Sequence, residues 1–172
     1  VDYSHFMNIT AKVALRMIPD SLATQPIFLC VDDTMVAKAG TRFENVSKLF
    51  DHAAHNGSNY LNGHCFVSIM LCIPVWKNDR VSYLSLPLGY RMWQKKESKL
   101  ELAASMIRQV MPEFQEKKQV IILCDSWYTK RNLVSIVDEY LNLDLIGNAR
   151  IDSVMYAPAH TGRRGRPAKH GK

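Results

Sequence analysis

Two apolar runs of the chain end in carboxylates: Ile27-Phe28-Leu29-Cys30-Val31 leads into Asp32-Asp33-Thr34, and Val120-Ile121-Ile122-Leu123-Cys124 leads into Asp125. Apolar, β-favouring runs of this kind predict strands buried on both faces, so each terminal acid emerges at the rim of a sheet on a stiff support. Held carboxylates suit Mg²⁺ or Mn²⁺, hard cations that take oxygen ligands and can clamp the attacking and leaving oxygens of a phosphodiester. Asp after a strand is also an ordinary turn or helix-cap residue, which leaves a structural role open for either acid alone. Asp32 beside Asp33 is harder to explain that way. Adjacent like charges, partly desolvated, are unfavourable unless something positive compensates them, and a metal is one such compensator.

The elements that must carry these acids are readable in outline. Tyr3 to Ile18 places Phe6, Val13, Met17 and Ile18 at roughly helical spacing and stops before Pro19, which predicts a helix. The strand Ile27 to Asp33 follows. Thr41 to Asn62, rich in His, Asn and Ser, reads as a long loop with a short helix around Val46 to Ala54. Cys65 to Trp76 and Val81 to Tyr90 predict two strands joined across Lys77-Asn78-Asp79-Arg80, a hairpin turn by composition. Leu100, Ala103, Ala104, Ile107 and Met111 share one face of a helix that Ser98 and Glu101 open as a capping box and Pro112 ends. Gln119 to Cys124 is the strand that carries Asp125. Leu133, Val134, Val137 and Leu141 mark a second helix with Thr129 as its cap, and Leu143 to Ala149 is a last strand.

Three strands on short connections followed by alternating helices and strands predict an α/β fold, a mixed sheet covered by helices of the ribonuclease H-like type. In that arrangement the first strand lies beside the strand after the first helix, and Asp33 comes to face Asp125.

The 172 residues suit one domain with a real core, and 47% apolar content excludes a disordered chain. No apolar stretch reaches the roughly 18 residues of a membrane span, so a cytoplasmic, nucleoid-associated protein without a membrane partner is expected. Cys30, Cys65, Cys72 and Cys124 sit inside apolar runs without a Cys-x-x-Cys pair, the pattern of reduced core thiols. The formal net charge of +6 favours a polyanionic partner, and most of it lies in Arg163, Arg164, Arg166, Lys169 and Lys172, a stretch without acids.

Four segments, taken in order and spacing, resemble the insertion-sequence DDE transposases whose first motif reads Asp-Asp-Thr. They are Cys30-Val31-Asp32-Asp33-Thr34-Met35-Val36-Ala37-Lys38-Ala39-Gly40, Asn62-Gly63-His64, Leu123-Cys124-Asp125-Ser126-Trp127-Tyr128 and Arg164-Gly165-Arg166-Pro167, and the similarity runs from about Pro26 onward. The resemblance implies a ribonuclease H-like core that binds two Mg²⁺ (or Mn²⁺) ions, hydrolyses a phosphodiester at each transposon end and uses the freed 3′-hydroxyl to attack target DNA. DNA, as transposon ends and as target, is the partner this implies, with a homodimer acting on paired ends. Asp33, directly before Thr34, matches the first metal ligand and Asp125 the second, leaving Asp32 as a neighbour; strand alternation also lets only one of two successive residues face a metal.

The family's third carboxylate, a Glu on a helix after the last strand and beyond an inserted region, has no counterpart. The later acids Asp138, Glu139, Asp144 and Asp152 belong to the second predicted helix or flank the last strand. Two carboxylates hold Mg²⁺ weakly, so the chain alone is expected to be inactive. Residues 1–25 then form a helical lead-in, 26–157 a partial catalytic core and 158–172 a basic Arg/Gly/Pro tail leading toward the inserted region.

Lys38 is placed either to neutralise a DNA phosphate near the metals or simply as a surface lysine, and Arg163, Arg164, Arg166 and Lys169 either to bind phosphate with strong salt dependence or as a solvated tail. Arg164-Gly165-Arg166-Pro167 also has the form of an AT-hook core, which lays arginines into an A·T-rich minor groove. Trp127 and Tyr128 are placed either to stack on an unpaired base or to pack over the second helix. His52, His55 and His64 with Cys65 match no tight zinc spacing, and His64 reads as a strand-entry residue with a hydrogen-bonded ring. Two other readings stay open: another ribonuclease H-like nuclease, and a DNA-binding remnant without catalysis.

Overall fold

The computed structural model describes residues 4–40, 42–50, 59–115, 118–149 and 153. Helix α1 (Ser4–Arg16) leads into strand β1 (Ile27–Ala37), the short strand β2 (Ser47–Phe50) and a long hairpin of β3 (Tyr60–Lys77) and β4 (Arg80–Met92). Helix α2 (Lys99–Val110), β5 (Val120–Cys124), the single-turn helix α3 (Arg131–Val134) and β6 (Leu143–Gly147) follow.

The strands form one sheet in the order β2-β3-β1-β5-β6, with β4 also paired to β3. β1 is antiparallel to β3 and parallel to β5, and β5 is parallel to β6. Apart from the added β2, the path β4-β3-β1-β5-β6 is the ribonuclease H-like order expected from the sequence. A hairpin lies on one side of the central strand and a parallel crossover pair on the other. The hairpin turns on Asn78 and Asp79, at φ of 51° and 57°. Two residues in the left-handed region are what a tight turn matching the twist of the strands requires, and Asn and Asp tolerate that region best after Gly.

The core lies on one face of the sheet. Ile27, Leu29 and Val31 of β1 alternate inward against Val67, Ile69 and Leu71 of β3 and Val120 and Ile122 of β5. Over them pack Met7, Ala11 and Ala14 of α1 and the apolar face of α2, including Ala103, Met106, Ile107 and Val110. Phe28 and Cys30, on the other face of β1, are only half-buried, so the expectation of strands enclosed on both faces holds for one face only.

The capping box is present: the Ser98 hydroxyl accepts from the Glu101 N–H at 3.1 Å, and the Glu101 carboxylate accepts from the Ser98 N–H at 2.9 Å. Pro112 sits in a 3₁₀ turn, Met111–Glu113, that closes α2.

Two expectations are corrected. The short helix around Val46 to Ala54 is instead strand over Ser47–Phe50, zipped antiparallel onto the start of β3 with Leu49 turned inward; residues 51–58 lie outside the described ones. The second helix shrinks to Arg131–Val134 followed by a 3₁₀ segment, Ser135–Glu139. Of the expected face Leu133, Val134, Val137 and Leu141, Leu133 is buried, together with Ile136, whereas Val134 and Leu141 are exposed; Val134, Ile136 and Val137 are β-branched and favour a regular helix poorly. Thr129 does not cap it, because its hydroxyl donates to the Ser126 and Asn148 carbonyls. Among the described residues no helix is long and apolar enough to cross a membrane.

Candidate metal centre

The register sets Val31 of β1 beside Cys124 of β5; β5 ends there, whereas β1 runs on to Ala37 against β3, past the Asp33 at which the sequence predicts its end, so that Asp33 and Asp125 leave the paired strands at the same level. Asp33 and Asp125 both line the cleft that opens there, a space of about 440 Å³ walled by Trp93 and Trp127 and carrying Lys48, Lys95 and Lys99. Alternation along β1 decides between the paired acids. Asp33 shares the inward face with Leu29 and Val31, whereas Asp32 points to the other face, is exposed, and accepts the Asp33 N–H at 2.8 Å.

Asp33 is held from several directions. Its Oδ1 accepts the Tyr128 hydroxyl at 3.1 Å; its Oδ2 accepts the Lys99 ammonium at 2.7 Å and the Cys65 thiol at 3.4 Å. The Asp33 and Lys99 side chains are each 18% exposed, so the pair is poorly screened by water. Burial alone would lower the Lys99 ammonium, but the hydrogen bond to Asp33 and its charge, with Cys65 adding, outweigh burial and hold it above its ordinary value. Burial pushes the Cys65 thiol up to about 11, with Asp33 adding to the rise and Lys99 opposing it. Tyr128 is raised as well, first by burial and then by the charge of Asp33.

Asp125 is exposed and held by its own turn. Its Oδ1 accepts the backbone N–H groups of Trp127 at 3.0 Å and Tyr128 at 3.2 Å, a side-chain turn of the kind Asp favours. That turn packs on the end of β6: a Cβ at Gly147 would lie 2.4 Å from Thr129 Cγ2, so the approach needs glycine. Tyr128 joins the two acids, donating its backbone N–H to Asp125 and its hydroxyl to Asp33.

The remaining expected residues divide clearly. Lys38 does not line the cleft; its ammonium lies 5.6 Å from the Phe43 ring centroid. Arg163, Arg164, Arg166, Lys169 and Asp152 lie outside the described residues. Glu139 pairs with Arg108 and Asp144 accepts from Gln119, both away from the cleft. Tyr128, 1% exposed, is unavailable to stack on a base, whereas Trp127 forms part of the cleft wall. His64 has the hydrogen-bonded ring expected of it, 2.8 Å from the Glu44 carbonyl. All four cysteines are free thiols.

Two carboxylates facing one cleft are donors a hard dication accepts, and in that respect the residues fit Mg²⁺ or Mn²⁺. Among the described residues no group of three His, Cys, Asp or Glu side chains completes such a site. Lys99, the Trp93 wall and the bond from the Cys65 thiol to Asp33 escaped the sequence reading, since nothing local marks a helix-start lysine as the partner of a strand acid.

No curated protein matches the chain. A chain in the crystal structure of the Mos1 strand transfer complex is similar at 14% identity and a TM-score of 0.33, over 87% of this chain and 41% of that one. The present chain therefore spans less than half of that solved chain. The family model described as DDE superfamily endonuclease matches residues 6–172, and a match over nearly the whole length makes the chain a member of that family.

Proposed function

We propose that this chain carries the first two carboxylates of the metal-dependent centre of a DDE transposase, which cleaves transposon ends and transfers the freed strand to target DNA. The observation that carries the reading is the placement of Asp33, on β1 just past its parallel pairing with β5, and Asp125, directly after β5, lining one cleft, in a member of a DDE endonuclease family. Asp33 and Asp125 would hold Mg²⁺ or Mn²⁺, two ions in the complete centre. Bound there, the metal supplies Lewis-acid activation of the attacking oxygen and stabilises the leaving one.

The chain's own residues do the rest. Tyr128 orients Asp33 through its hydroxyl and Asp125 through its backbone, fixing the separation of the two acids. Lys48 and Lys95, at the cleft, attract the phosphate backbone, and Trp127 walls the path of the strand. Residues 26–157 form the partial catalytic core, 1–25 its lead-in, and the basic tail 158–172, with Arg163, Arg164, Arg166 and Lys169, adds sequence-independent DNA affinity, as does Lys38. Among the described residues no third carboxylate joins the two, which supports the reading that the chain alone is inactive, and pairing of transposon ends calls for a homodimer.

Calorimetric titration of Mn²⁺ into the wild type, Asp33→Asn, Asp125→Asn and Asp32→Asn tests the core of the reading. Weak binding that disappears in the first two variants and survives in the third is expected. Equal binding by all four, or none by any, would leave the acids as structural elements of a strand and a turn, and the DNA-binding remnant without catalysis would replace the transposase centre.

A further inference from the structure

Lys99 occupies an unusual position for a lysine beside a metal-ligand candidate. Its ammonium stands 2.7 Å from Asp33 Oδ2, and neither side chain is more than 18% exposed. The residue opens α2, where the Ser98–Glu101 capping box fixes the first turn of the helix. Its Nζ lies 5.5 Å from the Trp93 ring centroid and 5.2 Å from that of Trp127, so two indoles flank the cation. The neighbouring lysines are engaged otherwise: Lys95 donates to the Lys48 carbonyl at 3.3 Å, and Lys48 lies 4.7 Å from the Tyr60 ring centroid.

A fixed cation here does for Asp33 what a metal ion would, supplying positive charge to a carboxylate withdrawn from water. It also competes. A Mg²⁺-sized ion approaches a carboxylate oxygen to about 2.1 Å, and an ammonium on the same oxygen repels it strongly where water screens little.

We propose that Lys99 is a built-in placeholder for the metal at Asp33: its salt bridge keeps the carboxylate aligned in the cleft, and a divalent cation binds there only by displacing it. The inference rests on the metal-binding reading of Asp33 and Asp125. When Lys99 leaves, Tyr128 and Cys65 still hold the Asp33 oxygens, and the ammonium turns between Trp93 and Trp127 to face the cleft. A phosphate in the cleft that draws Lys99 away therefore raises metal affinity, and linkage makes the benefit mutual. Lys99 is in this sense a positioning residue, coupling metal uptake to the arrival of a phosphate backbone.

The test titrates Mn²⁺ into the full chain and its Lys99→Met, Lys99→Arg and Asp33→Asn variants, read by water-proton relaxation, and follows indole fluorescence under Mg²⁺. Lys99→Met is expected to bind Mn²⁺ about tenfold more tightly than wild type, a typical size for coupled sites, while Lys99→Arg stays near wild type. Mg²⁺ should change the indole emission of the wild type and do so much less in Lys99→Met. A folded Lys99→Met that binds Mn²⁺ no more tightly than wild type, with Asp33→Asn still abolishing binding, overturns the placeholder and leaves the metal reading intact. Binding untouched by Asp33→Asn removes both. Should Lys99→Met fail to fold, wild-type emission that does not respond to saturating Mg²⁺ overturns the proposal, and a response supports it.

Discussion

β1 and β5 lie side by side, yet they hold their acids in opposite ways. Asp33 is half-buried and tied to side chains from β3, α2 and the turn after β5, through Cys65, Lys99 and Tyr128. Asp125 is exposed and, among the described residues, is tied to backbone N–H groups of its own turn. One acid belongs to the electrostatics of the core and the other to a local motif. The same candidate chemistry thus rests on a carboxylate that the fold depends on and one that it does not, which separates metal binding from stability in experiment.

The contrast is tested most strongly by matched substitutions. Asp33→Asn leaves the Lys99 ammonium without its counter-charge and should destabilise the chain by about 1–3 kcal/mol in urea denaturation. Asp125→Asn keeps an oxygen for the turn and should stay within about 0.5 kcal/mol of wild type. Equal losses would dissolve the distinction between the two acids. A smaller effect is expected from Tyr128→Phe, which fits the same buried site but removes the bond to Asp33: about 1 kcal/mol, and non-additive with Asp33→Asn if the link is direct.

The smallest effect is one of pH. The Cys65 thiol is pushed up to about 11 from an ordinary 9.0, chiefly by burial. The folded chain keeps a proton that the unfolded chain gives up, so this contribution to stability is full below pH 9.0 and is lost as pH rises toward about 11. Lys99, also held above its ordinary value, loses its contribution in the same direction. Cys65→Ser should flatten the alkaline fall in the urea midpoint, and an unchanged slope would place its origin outside the Asp33 corner.

What the sequence disclosed follows the same division. The Ser98–Glu101 box, the Asn78-Asp79 turn and the Asp125 strand end are written in adjacent residues, and each is where the spacing predicts. Alternation lets one of Asp32 and Asp33 face the cleft, the resemblance to the Asp-Asp-Thr motif points to Asp33, and Asp33 shares the inward face with Leu29 and Val31. The environment of Asp33 does not, because Lys99 and Tyr128 reach it only after α2 and the turn following β5 dock over the sheet. β2 was hidden for a related reason: four residues become strand because the edge of β3 offers them partners, and the polar composition around them carries no period. In the shortened second helix the spacing of Leu133, Val134, Val137 and Leu141 marks the buried side only at Leu133, since Val134 and Leu141 are exposed and Ile136 turns inward instead; the β-branched run and the engagement of Thr129 set its length.

The sheet order also has a bearing on time. The β3–β4 hairpin closes over two residues and can zip in microseconds. The pairing of β1 with β5 must close a far longer stretch containing that hairpin and α2, and it bears the loop-closure cost and slow formation of non-local contacts. A nascent chain emerging from the ribosome therefore builds the side of the sheet that surrounds Asp33 well before Asp125 is available. Until β5 has been made and docked, the polypeptide holds one carboxylate of the pair and an unfinished cleft, so the order of synthesis itself delays the assembly of the site.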